Sequence, residues 1–301
     1  MIKGDDTHQM ELIKASLFEH YEMLKNVFKQ YSSNGGDPFT MGSNSFSDFI
    51  NDCNIIDEQN CLRSEVDMCF ITANLSGPKD KANPKRSLLR FQFLEVVVAL
   101  SVSKFSRNGE MTPHQGVLKM LSEYILPNAT WHDAQGYRNG QDNGRLYTYG
   151  NDVVLKAHLI VLQEVFDMYS GSQQKNVVGQ KKRMAIAEFN SMVDDIGFTD
   201  ETLASREVRI AVLYSKQTHV NEIKDHELVR SLDFNEFLEA CARIADMKDM
   251  TGMYSKLTNA EDTSGVKRLL EDIGESSDGS WCSGDDGNLT LKLQVYKNRK
   301  N

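Results

Sequence analysis

The residues of this chain with the plainest metal chemistry lie between Ser215 and Glu236. Glu222, Asp225, Glu227, Asp233 and Glu236 bring carboxylate oxygens into that one stretch. A hard dication such as calcium takes about six to eight oxygen ligands, so a cluster of this kind is where one would be held. Glu188 stands in a comparable place, since it precedes Phe189 as Glu236 precedes Phe237. Around it, however, lie Lys175, Lys181, Lys182 and Arg183, whose charges would oppose a dication at close range.

No other set of residues reads as a reaction centre. The seven histidines are scattered, with no HExxH motif and no i, i+4 pair on a helix. The five cysteines form no CxxC pair; Cys69 and Cys241 fall on apolar helix faces and read as core thiols. Gly136, Gly140 and Gly144 have neither P-loop nor dinucleotide-fingerprint spacing, and GxSxG is absent. The sequence predicts no enzyme and no cofactor, with weakly held calcium at Glu236 and its neighbours as the alternative.

The elements that would position these carboxylates form an internal repeat. RSLDFNEFLEACARIADMK, residues 230–248, is a short extended piece followed by an amphipathic helix on Phe237, Leu238, Cys241, Ile244 and Ala245. The same phrase occurs as RSLLRFQFLEVVVALSVSKF, residues 86–105, with Leu88, Gln92 and Phe93 over Leu232, Glu236 and Phe237. MGSNSFSDFINDC from Met41 matches MAIAEFNSMVDDI from Met184, with Phe46 over Phe189. Each follows a helix of one pattern, LKNVFKQYSS or LQEVFDMYSG, with Phe28 and Tyr31 over Phe166 and Tyr169.

These helix–loop–helix units resemble the calmodulin-like EF-hand superfamily, in their helices more than in their ligands. The resemblance implies an all-α fold of two lobes, each a pair of degenerate EF-hands, with a minor β-pairing between loops. The lobes are expected over residues 1–105 and 153–249, with a connector over 106–152 and a polar tail over 250–301. Within the connector, Thr112 and Pro113 start a helix that Pro127 stops. The tail carries a short helix over 265–274 and a strand pattern over 289–297.

Carried over residue by residue, only Glu188 and Glu236 match the bidentate glutamate of the family; Ser45 and Gln92 depart from it. Asp37 is the one acid of the first loop, and Asp80 stands among Lys79, Lys81, Lys85, Arg86 and Arg90 in the second. The fourth loop is too long for the family's spacing and lacks its glycine. No metal is therefore expected; if any binds, Glu236, Glu188, Asp233, Asp225 and Glu222 are its ligands.

A net charge of −9 argues against nucleic acid as the main partner. No apolar run reaches the roughly 18 residues of a membrane helix, and the N-terminus has no signal-peptide core. A cytoplasmic protein is expected. Met23, Met68, Met168 and Met192, on or beside apolar helix faces, and the basic Lys181, Lys182 and Arg183 are the candidate partner-binding residues. The partner they suit is an amphipathic helix or an acidic filament surface. Expanded EF-hand lobes with lost ligands resemble axonemal and cytoskeletal adaptors of protists and algae, so a non-catalytic adaptor at the cytoskeleton or cilium is the implied function. A calcium sensor acting through the fourth loop, or the regulatory subunit of an enzyme, are the alternatives.

Overall fold

In the computed structural model, residues 5–35, 37–57, 59–76, 83–139, 144–171 and 182–248 are described. The tail helix and strand expected from the sequence lie outside them, as does Lys181. The chain is mainly helical, and the strands among the described residues are two residues long.

α1 (Asp5–Glu19) and α2 (Tyr21–Ser32) follow one apolar stripe, yet they are separate helices. His20, at φ −97° and ψ 9°, leaves helical geometry between them, and its ring nitrogen bonds the Ser16 carbonyl at 2.9 Å. β1 (Met41–Gly42) leads into α3 (Ser43–Asp52). α4 (Arg63–Asn74), β2 (Ser87–Leu88) and α5 (Arg90–Ser101) complete the first set. β1 and β2 pair antiparallel, Met41 opposite Leu88.

The second set repeats this order. α9 (Tyr149–Ala157) and α10 (Leu159–Tyr169) are divided at His158, whose φ −106° and ψ 10° reproduce the bend at His20. β3 (Met184–Ala185) and α11 (Ile186–Asp195) follow, then α12 (Ser205–Ser215). A short turn of helix, α13 (His226–Val229), lies inside the acidic loop, before β4 (Ser231–Leu232) and α14 (Phe234–Met247). β3 and β4 pair antiparallel, Met184 opposite Leu232. Side-chain detail repeats as well: the Tyr31 hydroxyl donates to Asp52 at 2.7 Å, and that of Tyr169 to Asp195 at 2.8 Å.

α3 and α11 end alike. Asn54 (φ 51°) and Gly197 (φ 71°) take the left-handed conformation that lets a chain turn off a helix. Beyond each, a carboxylate gathers the next turn: Asp57 accepts the N–H groups of Gln59 and Cys61, and Asp200 those of Thr202 and Leu203. Each carboxylate is also clamped by a buried lysine from the far end of the second helix pair, Lys104 on Asp57 and Lys248 on Asp200. Burial alone would raise the Asp57 pKa, but Lys104 and the turn's N–H groups hold it well below the usual range.

Residues 106–152 pack into the fold. α5 continues through a π-helical turn (Val102–Ser106), and Thr112 caps α6 (Pro113–Lys119) as the sequence predicts. A second π-helical turn (Met120–Ile125) and α7 (Leu126–Asn128) complete that helix. Val117, Met120, Leu121 and Ile125 are fully buried in the core that also holds Phe28, Phe49, Phe93 and Val97. Gly116 sets the approach of α6 to α5, because a Cβ there would meet the Ser101 carbonyl oxygen at 3.2 Å. α8 (Ala134–Asn139) then carries Arg138 onto Glu239 of α14. The described residues belong to one compact unit.

Phe93 and Phe237 lie in the first turns of α5 and α14 and are wholly buried, each against an aromatic ring of the other helix–loop–helix unit of its set, Phe28 of α2 or Phe166 of α10. Replacing either with Ala is expected to cost about 3–5 kcal/mol, the range for a buried aromatic truncated to methyl. Denaturant unfolding measures this; a loss well below about 1 kcal/mol would mean that the ring is not a core element.

Candidate functional site

The acidic loop between α12 and β4 already holds a cation, and the chain supplies it. Lys216, the first residue after α12, is buried and turns its ammonium into the loop. There it donates to the Glu236 carboxylate at 2.6 Å and to the carbonyls of Leu228 and Ser231 at 2.8 and 2.5 Å. Arg183, on the β3 side, adds bonds to Ser231 O at 2.8 Å and Glu236 at 3.2 Å. The backbone N–H groups of Gln217 and Asp233 fill the remaining acceptor positions of Glu236, both at 2.9 Å. Burial lowers the Lys216 pKa and Glu236 opposes that shift, so the ammonium form depends on its carboxylate.

The corresponding loop of the first set is closed by the same connections without charge. Asn74, the last residue of α4, donates to the carbonyls of Pro84 and Ser87 at 2.9 and 2.7 Å. Gln92, at the place of Glu236, donates to the Ser76 carbonyl at 2.9 Å, while its oxygen takes the Leu89 N–H at 2.8 Å. An Asn–Gln pair in one loop thus does what a Lys–Glu pair does in the other.

Asp233, Glu188, Glu222 and Asp225 have partners within the fold. Asp233 caps α14, accepting the Glu236 N–H at 2.9 Å. Glu188 is buried and reaches back to the Ala185 N–H at 2.7 Å, the reciprocal bond of a capping box. Glu222 pairs with Arg90 at 3.3 Å, and Asp225 stands 3.6 Å from His219. Among the described residues, no group of three or more His, Cys, Asp and Glu side chains is arranged to hold a metal ion. No helix among them is long and apolar enough to cross a membrane.

The candidate partner residues are not gathered on one surface. Met23 and Met192 are buried in the packing, whereas Met68 is 60% and Met168 37% exposed. Lys182 is exposed and pairs with Asp167 at 3.4 Å. Arg183 is committed to Glu236.

Sequence reasoning did not find the seam between the two sets. Here the Tyr214 hydroxyl of α12 donates to the Asn26 carbonyl of α2 at 3.0 Å. Lys25 donates to Thr218 at 3.0 Å, and Arg90 to the His219 carbonyl at 2.6 Å. Arg209 donates to the Ser33 carbonyl at 3.0 Å, and Arg230 pairs with Asp37. Lys29 also points into the seam, with the Lys216 carbonyl at 3.4 Å and the Tyr214 ring 5.7 Å away. Burial brings its pKa down to about 7, and Lys25, Arg138 and Arg243 push the same way against Glu239.

The second set has an uncovered face. α9 contributes no buried residue, and α10 buries only Phe166 and Tyr169, whereas most of α2 is buried. Tyr149 is 80%, Val154 54% and Ile160 78% exposed. Between α9 and α14 an open cleft of about 770 Å³ has Leu146, Tyr147, Tyr149, Leu155 and Leu238 in its lining, among a larger number of polar residues that include Arg138, Asp152 and Glu239.

Two outcomes test this geometry. Lys216→Met removes the closest counter-charge of the buried Glu236, leaving it Arg183 at 3.2 Å, and is expected to cost about 3 kcal/mol in urea unfolding. Adding Glu236→Gln should recover at least half of that loss; strict additivity of the two changes would mean that they do not share one buried pair. For Lys29, the folded pKa lies below the unfolded value of about 10.5, so the unfolded chain binds more protons between them. Its contribution to stability is therefore expected to rise with pH from about 7 towards 10.5. Lys29→Met should be more stable than the parent chain at pH 6, by a margin that narrows towards pH 10; a margin that does not change with pH would contradict this.

No protein-family model matches this chain, and no curated protein sequence matches it.

Proposed function

We propose that this chain is a non-catalytic adaptor that grips a protein partner through two EF-hand-like pairs held closed without calcium. The observation that carries the reading is the Lys216 ammonium on Glu236 and two loop carbonyls. A positive charge fixed among these oxygens opposes the arrival of a dication and removes its need. The two short sheets, Met41 opposite Leu88 and Met184 opposite Leu232, support the division into two pairs. Residues 1–105 and 153–249 are then the lobes, and 106–152 is a connector that also packs.

The partner is an amphipathic helix. α6 offers the template, since it lies on α1 and α5 of the first set and sinks Val117, Met120, Leu121 and Ile125 into the core. The counterparts of α1 and α5 are α9 and α14. Opposite the fully buried Ser101 of α5 stands Ala245 of α14, which is exposed. A partner helix placed on α9 and α14 as α6 is placed on α1 and α5 would cover that face. The engagement of Arg183 inside the fold weighs against an acidic filament surface as the partner. Membership in an axonemal or other cytoskeletal assembly rests on the family resemblance alone.

The test combines metal response with partner capture. A ligand at 100 times its dissociation constant stabilises a fold by about 2.7 kcal/mol, so calcium binding at any useful strength would move the melting temperature. No shift is expected between chelator and about 1 mM calcium. Partner retention from native extract should be equal under both conditions, and should be lost when Leu155 and Leu238 are replaced by Glu. A calcium-dependent rise in Tm that Glu236→Gln abolishes would replace this reading with the sensor. Retention unaffected by the Leu155 and Leu238 changes would move the binding surface elsewhere.

A further inference from the structure

At the seam lies a cavity of about 40 Å³ whose charged and polar lining of Lys25, Lys29, Arg90, Lys216, Thr218, His219 and Glu222 sits against an apolar wall that includes Phe28, Phe39 and Leu213. A single water needs about 10–15 Å³ on this measure, so the space suits a few waters or one tetrahedral ion. Its charges do not balance. Lys25 has Glu22 at 2.6 Å, Arg90 has Glu222 at 3.3 Å, and Lys216 has Glu236 at 2.6 Å. Lys29 has no described carboxylate within salt-bridge distance, only the Lys216 carbonyl and the Tyr214 ring.

We propose that this cavity is a site for a small tetrahedral oxyanion of the orthophosphate class, bound by the Lys29 ammonium with Lys25, the Thr218 hydroxyl and His219. The anion supplies the negative charge missing beside Lys29. The cavity has no room for a nucleoside, which restricts the ligand to the inorganic ion or its equal in size. Because first-set and second-set residues both line the cavity, occupancy fastens α2 to the segment after α12. The depressed Lys29 pKa agrees with a cation that has lost the counter-charge its surroundings call for. The site involves neither the α9–α14 face nor calcium, so it stands or falls independently of the adaptor reading.

The experiment is thermal unfolding and calorimetric titration of the full chain with inorganic phosphate or sulfate, in chelator, with chloride matching the ionic strength. Saturable binding is expected, with a Tm rise of about 5 °C or more at 100 times the dissociation constant. Lys29→Met should reduce affinity at least tenfold, while Lys14→Met, at an exposed lysine of α1, should leave it unchanged. Thr218→Val, which alters no charge, should weaken binding and provides the same test if the Lys29 variant fails to fold. With sulfate, whose charge is constant, affinity should fall as pH rises through 7 and Lys29 loses its proton. The charged and titratable groups facing Lys29 are Lys25, Arg138, Arg243, Glu239, Tyr214, Lys216 and Glu222. A response no larger than that to chloride, or one equal in the parent, Lys29→Met and Thr218→Val proteins, would overturn the proposal.

Discussion

One carboxylate, that of Glu236, determines how the second set closes. It accepts from Lys216, Arg183 and the backbone N–H groups of Gln217 and Asp233, and its own N–H is capped by Asp233. A single side chain therefore ends α12, starts α14 and ties β3 to β4. Closing a long loop has an entropic cost that grows slowly with its length, and an interaction of this strength is what offsets it. A buried ion pair adds little net stability relative to apolar groups of the same shape. What it adds here is geometry: the ammonium has to sit where carbonyls and carboxylate converge, so the strand register follows.

The asymmetry between the two sets arises from what covers them. In the first, α6 fills the face of α1 and α5, and the cluster runs unbroken from Ile13 to Ile125. In the second, α14 packs chiefly on α12 and, less extensively, on α10, and apolar side chains along α9 and α10 stay in contact with solvent. Scattered surface apolar residues carry no message; what distinguishes this face is that it lacks the cover its twin possesses. The seam between the sets is polar by contrast, made of arginine and lysine arms on backbone carbonyls. It fixes orientation through direction more than through area.

The repeat was legible in the sequence because apolar spacing and the aromatic at each helix start are local signals. The mainly helical class, the pairing partners Leu88 and Leu232, and the burial of Phe93 and Phe237 all follow from them. The loop chemistry was half legible. Glu236 stood out as an acid at a ligand position, but its answering cation lies on the preceding helix end, outside the acidic run that drew attention. Aligning Asn74 with Lys216 beside Gln92 with Glu236 would have exposed it, since the two pairs change together from neutral to charged. Met23 and Met192 show the limit of a helical stripe, which marks an apolar face without telling core from groove. The bends at His20 and His158 were marked by a histidine eight residues before the matched Phe28 and Phe166, a local signal that the apolar stripe overrode; the Lys29 seam left no such mark, because distant partners decide it.

The clamp of Lys104 on Asp57 and of Lys248 on Asp200 has a historical consequence. Each lysine comes from beyond the end of a second exiting helix and each aspartate from the turn after a first, at matching places in both sets. So specific a long-range correspondence, kept beside loops that differ in length, charge and helix content, points to duplication of an ancestral pair that already carried the clamp. The loops differ, one closed through amides and one through an ion pair, around a clamp that both sets contain.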